Sequence, residues 1–142
     1  MIHAARADDA ERVRDLFREY AAGLGVDLSF QDFDAELADP FGVYEAILLA
    51  DDGCVALRRI DEVDCELKRL FVCPAARGTG LGRALAVAAI SQARSRGFRR
   101  LRLDTLPTMT AARALYGELG FRETEAYRYN PVHGTTYFEL EL

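Results

Sequence analysis

The chain is poor in residues that several common chemistries require. It has three cysteines, Cys54, Cys65 and Cys73, an odd number without C-x-x-C spacing, which argues against both a disulfide framework and a zinc site. Its only histidines are His3 and His133, so a cysteine–histidine nucleophile has no support, and Cys65 and Cys73 read as small buried side chains. No apolar run approaches the ~20 residues of a membrane span, and no signal-peptide pattern opens the chain. No Gly-Lys pair occurs, which excludes a Walker A loop. Internal repeats, low-complexity stretches and linkers are absent as well. The expectation is one domain over residues 1–142, without metal or membrane, in a reducing cytoplasm.

What is present is an ordinary globular balance, 50 % hydrophobic and 29 % charged, with an uneven distribution of charge behind the net −5. Between Gly23 and Glu66 there are twelve acidic residues and two basic ones, Arg58 and Arg59. From Leu67 onward there are twelve basic and six acidic. A polyanionic ligand suits the second region and a cationic one the first. The plainer reading is two solvated faces. Nucleic acid is disfavoured because the chain is acidic overall.

The basic region contains Arg77-Gly78-Thr79-Gly80-Leu81-Gly82-Arg83, between an apolar strand-like stretch (65–72) and an Ala-rich helical stretch. A strand, a glycine turn and a helix start in that order make an anion site, because the helix start has unpaired N–H groups and a partial positive charge. Arg77 and Arg83 add charges that match phosphate geometry, so the expected ligand carries a pyrophosphate. A dinucleotide fingerprint fits less well. Its third glycine belongs at position 83, which is Arg, and too little chain follows for a doubly wound sheet, although Asp104 lies near the place of a ribose-binding acid.

Periodicity and turn residues predict a strand over 2–5 and a helix over 9–22 with a capping box from Asp8 and Glu11. A second helix is predicted over 29–38, with Ser29 as N-cap and Pro40 ending it. A hairpin follows with strands over 43–50 and 54–60, then the central strand 65–72, a helix over 80–96 ended by Gly97, a strand over 100–105 and a last strand over 135–142. In the central strand Leu67, Leu70, Phe71 and Val72 do not fit one face. Burial on both faces and a bulge are alternative explanations.

The spacing R-x-x-G-x-G from Arg77 to Gly82 and the ending A-x-x-L-Y-x-x-x-G-F from Ala112 to Phe121 together resemble the GNAT superfamily of N-acetyltransferases, over residues 65–121 at motif level. One departure is Met109, where many members carry an asparagine that contacts the cofactor. The resemblance implies an α/β (α+β) fold: a mixed, mostly antiparallel sheet of about six to seven strands with helices on both faces. It implies acetyl-CoA as co-substrate, its pyrophosphate on Arg77, Gly78, Thr79, Gly80, Leu81, Gly82 and Arg83, and its pantetheine arm along the backbone of Leu70, Phe71 and Val72. A backbone N–H on that strand would face the thioester oxygen.

Tyr116 matches the family's position for the acid that protonates the departing thiolate. Glu66, at the start of the central strand, matches the place of a base that takes the ammonium proton, directly or through water, and Asp104 is the reserve. The second helix and the loop before the last strand would wall the acceptor, which brings in Phe30, Phe33 and the segment Tyr127 to Gly134 with Tyr129. The acids Asp32, Asp34, Glu36 and Asp39 favour a small cationic amine or an amino-acid derivative, and the aromatic rings a cation–π wall. A protein N-terminus or lysine, or a catalytically idle acyl-CoA-binding regulatory module, are the alternatives. A homodimer is allowed for.

Overall fold

The computed structural model describes the backbone of all 142 residues and every side chain but that of Phe30, whose expected place in the acceptor wall lies outside the described residues. Seven strands form one sheet: β1 (His3–Ala4), β2 (Ala46–Ala50), β3 (Gly53–Arg59), β4 (Asp64–Val72), β5 (Arg100–Thr105), β6 (Arg122–Thr124) and β7 (Thr136–Glu141). The order is β1-β2-β3-β4-β5-β7-β6, and every pair is antiparallel except β4 with β5. Five α-helices cover it: α1 (Ala10–Leu24), α2 (Phe33–Ala38), α3 (Pro40–Val43), α4 (Leu81–Ser95) and α5 (Thr110–Glu118). Among the described residues no helix is long and apolar enough to cross a membrane.

The two faces have separate cores. On one, Val13, Leu16 and Phe17 of α1 meet Ile47, Leu49, Cys54, Ala56 and Phe71. On the other, Leu85, Ala89, Ile90 and Ala93 of α4, with Tyr116 of α5, meet Leu48, Val55, Leu57, Leu67, Leu101 and Leu103. The 3-to-4 spacing of the helical residues and the alternation along the strands give each element one apolar side. Gly53, at the β2–β3 hairpin, is required by close approach: a Cβ there would stand 2.6 Å from the Phe71 carbonyl oxygen.

Several element ends differ from the sequence expectation, through side chains that bond backbone locally or through a left-handed residue. At the start of α1 the Arg6 N–H donates to the Asp9 carboxylate (2.9 Å) and a short 3-10 turn, Ala7–Asp9, precedes the helix, while Glu11 pairs with Arg14. The helix expected over 29–38 divides into a 3-10 turn, Ser29–Gln31, and α2, because Asp32 between them is left-handed (φ 56°). Ser29 does not cap; its N–H donates to Asp27. α2 ends at Ala38, ahead of Pro40 as expected, but Pro40 also begins a further short helix, α3, where proline suits the first turn and the Asp39 carboxylate accepts from the Gly42 N–H (3.1 Å).

The central strand combines both explanations of its broken alternation. It is buried on both faces, and it carries a bulge: β3 pairs Cys54 with Phe71 but Ala56 with Lys68, so β4 has one residue more across the same step. Arg69 is the residue that turns, with φ 59°, a left-handed conformation that costs a non-glycine residue on the order of 1 kcal/mol or more. Its guanidinium is nearly fully buried and forms a two-point ion pair with Glu36 of α2 (2.7 and 2.8 Å), between the rings of Tyr20 and Phe33. The phase shift puts Leu67, Leu70 and Val72 toward α4 and leaves Lys68, Arg69 and Phe71 toward α1 and α2.

From Leu67 onward, through the bulge to Val72, β4 and β5 part. They pair only at Asp64–Arg100, Cys65–Leu101 and Glu66–Arg102, where the Asp64 carboxylate also accepts twice from Arg100 (2.7 and 3.1 Å). From there β5 pairs only with β7 and β4 only with β3.

Removing one partner of the Arg69–Glu36 pair leaves a buried charge without compensation. Glu36→Ala is expected to lower unfolding free energy by about 3–5 kcal/mol. The double change Glu36→Leu with Arg69→Met is expected to cost less than Glu36→Ala, because no charge is left behind. Urea denaturation of the two variants against the parent checks both.

Candidate active site

The split between β4 and β5 leads to the start of α4. Gly80 precedes the helix at φ 88° and Gly78 has φ 81°, and a Cβ at either would meet nothing within 4 Å. Among the described residues the amides of 78–83 donate to no protein acceptor, so six N–H groups surround the positive end of a 15-residue helix. Thr79 holds the turn by donating to the Ala76 carbonyl (2.6 Å), and Arg77 lies against the strand end by donating to the Val72 carbonyl (3.0 Å). Arg83 is engaged by Glu118 of α5 at 3.0 Å, both exposed. An opening above Thr79, Gly80 and Leu81 reaches Asp51 and Asp52 on the other side of the loop.

From this loop an apolar groove of about 360 Å³ runs along Leu70, Phe71 and Val72, past Gly82, with Ala112 and Leu115 of α5 opposite. It ends in a small cavity of about 30 Å³ at the head of the split, lined by Leu67, Lys68, Asp104, Met109, Tyr116 and Asn130. Tyr20, Leu24, Leu70 and Met109 border both spaces. The cavity has room for a water molecule or two, or an amino group. The residues fit acetyl-CoA: amides and arginine for pyrophosphate, an apolar channel with an unpaired strand edge for the pantetheine arm, and a polar chamber for the thioester. Met109, in the asparagine position, borders the groove with its thioether and accepts from the Leu106 N–H at 3.3 Å.

Tyr116 borders the cavity, 2 % exposed, its ring 5.4 Å from that of Phe121. Burial raises its hydroxyl above the ordinary phenol value, helped by Tyr20 and Asp104, so it stays a proton donor. Asp104 also borders the cavity and accepts from the Asn130 amide at 3.1 Å. Glu66 lies one step away: 1 % exposed, it accepts from the Tyr127 hydroxyl (2.5 Å) and, through both oxygens, from Arg128 (3.1 Å). Burial alone would raise the Glu66 carboxyl, but Lys68, Tyr127 and Arg128 outweigh it and hold it below the usual range. Phe33 lies under the Arg69 guanidinium rather than at the cavity wall, and Tyr129 stands 80 % exposed. Burial pushes the Cys54 and Cys65 thiols up to about 12, so neither is a thiolate at neutral pH.

Sequence reasoning passed over Lys68 and Gln31 as site residues, and took Arg128 only as part of the segment Tyr127 to Gly134. The Gln31 oxygen accepts from both Lys68 (2.9 Å) and Arg69 (3.0 Å), and Arg128 reaches in from the loop before β7. The available signal was Lys68-Arg69, two cations side by side inside an otherwise apolar strand.

Comparison with known proteins agrees with this geometry. Residues 10–121 match the acetyltransferase (GNAT) family. An uncharacterised N-acetyltransferase of Schizosaccharomyces pombe is 37 % identical over 94 % of this chain and 89 % of its own length. A GNAT-family acetyltransferase structure from Staphylococcus aureus superposes with TM-score 0.82 at 18 % identity, over 99 % of this chain and 98 % of the other. One from Elizabethkingia anophelis with acetyl-CoA bound gives 0.68 at 20 % identity, over 100 % and 97 %. The chain belongs to the GNAT acetyltransferase family, and its enzyme class is that of the acyltransferases.

Lys68 generates a pH prediction. Burial lowers its ammonium from 10.5 to about 8; Glu66 opposes this, and Arg69 and Arg128 add to it. Between about pH 8 and 10.5 the unfolded chain therefore holds a proton that the folded one has released, and stability rises with pH across that window. Lys68→Met is expected to remove that rise and to be more stable than the parent at pH 7, as measured by urea denaturation at stepped pH.

Proposed function

We propose that the protein transfers the acetyl group of acetyl-CoA to a primary amine by direct attack in a ternary complex. The observation that carries this reading is the alignment of free amides at 78–83, the apolar groove and the polar cavity along one split in the sheet. Acetyl-CoA supplies an activated thioester. The loop from Arg77 to Arg83 holds its pyrophosphate, and the unpaired edge of Leu70, Phe71 and Val72 holds the pantetheine arm and donates an N–H toward the thioester oxygen.

In the transfer a C–N bond forms and the C–S bond breaks. The acceptor ammonium first gives up a proton to a carboxylate: Asp104 directly, at the cavity wall, or Glu66 through the Tyr127 hydroxyl or a water. Tyr116 donates a proton to the departing thiolate and is restored by the second proton that the nitrogen sheds as the amide forms. The acceptor is a small amine or an amino-acid derivative, since the cavity admits little beyond the reacting group.

Titration calorimetry with acetyl-CoA checks the cofactor half. Binding is expected for the parent, and strong loss for Gly80→Asp combined with Arg77→Ala, because an aspartate at φ 88° is strained and its charge opposes phosphate. No binding at millimolar acetyl-CoA would remove the assignment. Tyr116→Phe is expected to lower kcat by about 10²-fold with cofactor affinity kept, in steady-state and binding assays. The pH–rate profiles of Asp104→Asn and Glu66→Gln identify the base: the variant that loses the lower limb lacks it.

A further inference from the structure

Next to the reaction cavity, on the α2 side of the sheet, lies a second pocket of about 230 Å³ bordered by Gln31, Tyr44, Arg58, Lys68 and Arg128. It adjoins the cavity at two residues, Gln31 and Lys68, which line both. The strand register explains why its cations converge. Arg58 of β3 stands opposite Glu66, and Ala56 opposite Lys68, so Arg58, Glu66 and Lys68 share one face of the sheet. Arg128 joins them from the loop before β7.

The charges here do not balance. Two buried carboxylates face the group, Glu66 on the shared sheet face and Glu36 on the pocket wall, and Glu66 is already taken by Arg128 (3.1 Å), with Arg58 at 3.8 Å. Glu36 is committed to Arg69. Asp32, the other acid of the rim, is exposed. Lys68 is 6 % exposed, and its ammonium donates to a single described partner, the neutral Gln31 oxygen, which Arg69 shares. Glu66 is the nearest compensating charge for Lys68 but makes no direct bond to it, being taken by Tyr127 and Arg128, and a buried cation without a bonded anion is costly at the only lysine among eighteen basic residues. A lysine leaves room in the pocket that an arginine fork would fill, and its compact ammonium suits one carboxylate oxygen. On the far side of the cavity Asp104 presents a carboxylate whose one described partner is an amide.

We propose that the acceptor is an amine that bears a carboxylate, an amino acid or a close analogue, with its carboxylate on Lys68, Arg58 and Arg128 and its amino group in the cavity beside Asp104. The inference deepens the acetyl-transfer reading and rests on it. It reverses the charge expected of the acceptor from the acidic stretch of sequence. Of those acids, Glu36 is neutralised by Arg69 and Asp39 caps α3, whereas the charges that face the pocket are mainly basic. A diamine would place its second ammonium against three cations.

The test uses the intact protein, saturating acetyl-CoA and matched acceptors: the common amino acids and short ω-amino acids, each beside its decarboxylated amine. Amino acids are expected to be better substrates in kcat/KM by about 30-fold or more. Lys68→Met is expected to erase most of that preference through KM, with calorimetric affinity for acetyl-CoA kept. Arg58→Ala, at a half-exposed position, is expected to weaken it several-fold and guards against a folding defect in the first variant. A readout free of turnover comes from lysine labelled with carbon-13. The single lysine gives one side-chain resonance, and the pH at which it titrates should rise when an N-acetylated amino acid binds, and not with an N-acetylated amine. Equal or better turnover of the amines, a preference unaffected by Lys68→Met, or an amino-acid panel that neither reacts nor moves the Lys68 resonance would overturn the proposal. If acetyl-CoA itself fails to bind, the acetyl-transfer reading falls. If it binds and amines without carboxylate are favoured, only the acceptor assignment falls.

Discussion

The buried ion pair between Arg69 and Glu36 is the interaction on which the site depends. A left-handed arginine inside a strand is unfavourable by itself, and a buried guanidinium more so. Two charge-assisted hydrogen bonds, a shared amide oxygen and two aromatic faces offset both costs at one point. The return is geometric. With the bulge held, β4 shifts its side chains by one position within the stretch where its edge no longer follows β5. The short helix α2, with few apolar contacts of its own, is tied to the sheet by the same pair. Cofactor groove, reaction cavity and acceptor pocket all border this one distortion.

The parts legible in the sequence were those governed by local rules. The hairpin, the long helices α1 and α4 and the strand–loop–helix order follow from periodicity, glycine and capping residues, and the glycine loop announces its anion site because amides at a helix start need no distant partner. Element ends were less legible. Asp9, Asp27 and Asp39 each bond nearby N–H groups, and several acids in each stretch were able to serve.

The acceptor side was the least legible, because it is assembled from distant segments. Gln31, Arg58, Lys68 and Arg128 span almost a hundred positions, and their meeting depends on strand register, which no local pattern specifies. Composition and geometry point different ways here. A count of acids along a segment does not say which are already paired, and Glu36, in the most acidic stretch, is the one carboxylate that Arg69 takes. A pair of adjacent cations in an apolar strand was the better signal, since burying either one demands a reason.

The short seam between β4 and β5 divides the sheet into two plates, β1 to β4 and β5 to β7, stitched at one end by three residue pairs and the Asp64–Arg100 bridge. Such a molecule resembles a clothes-peg more than a rigid slab. The stitched end is a fulcrum, and the pantetheine arm proposed for the open end would complete the fabric that the protein leaves unsewn. Cohesion between the plates then belongs partly to the cofactor. An enzyme of this construction is stiffest when loaded and loosest just after product departs.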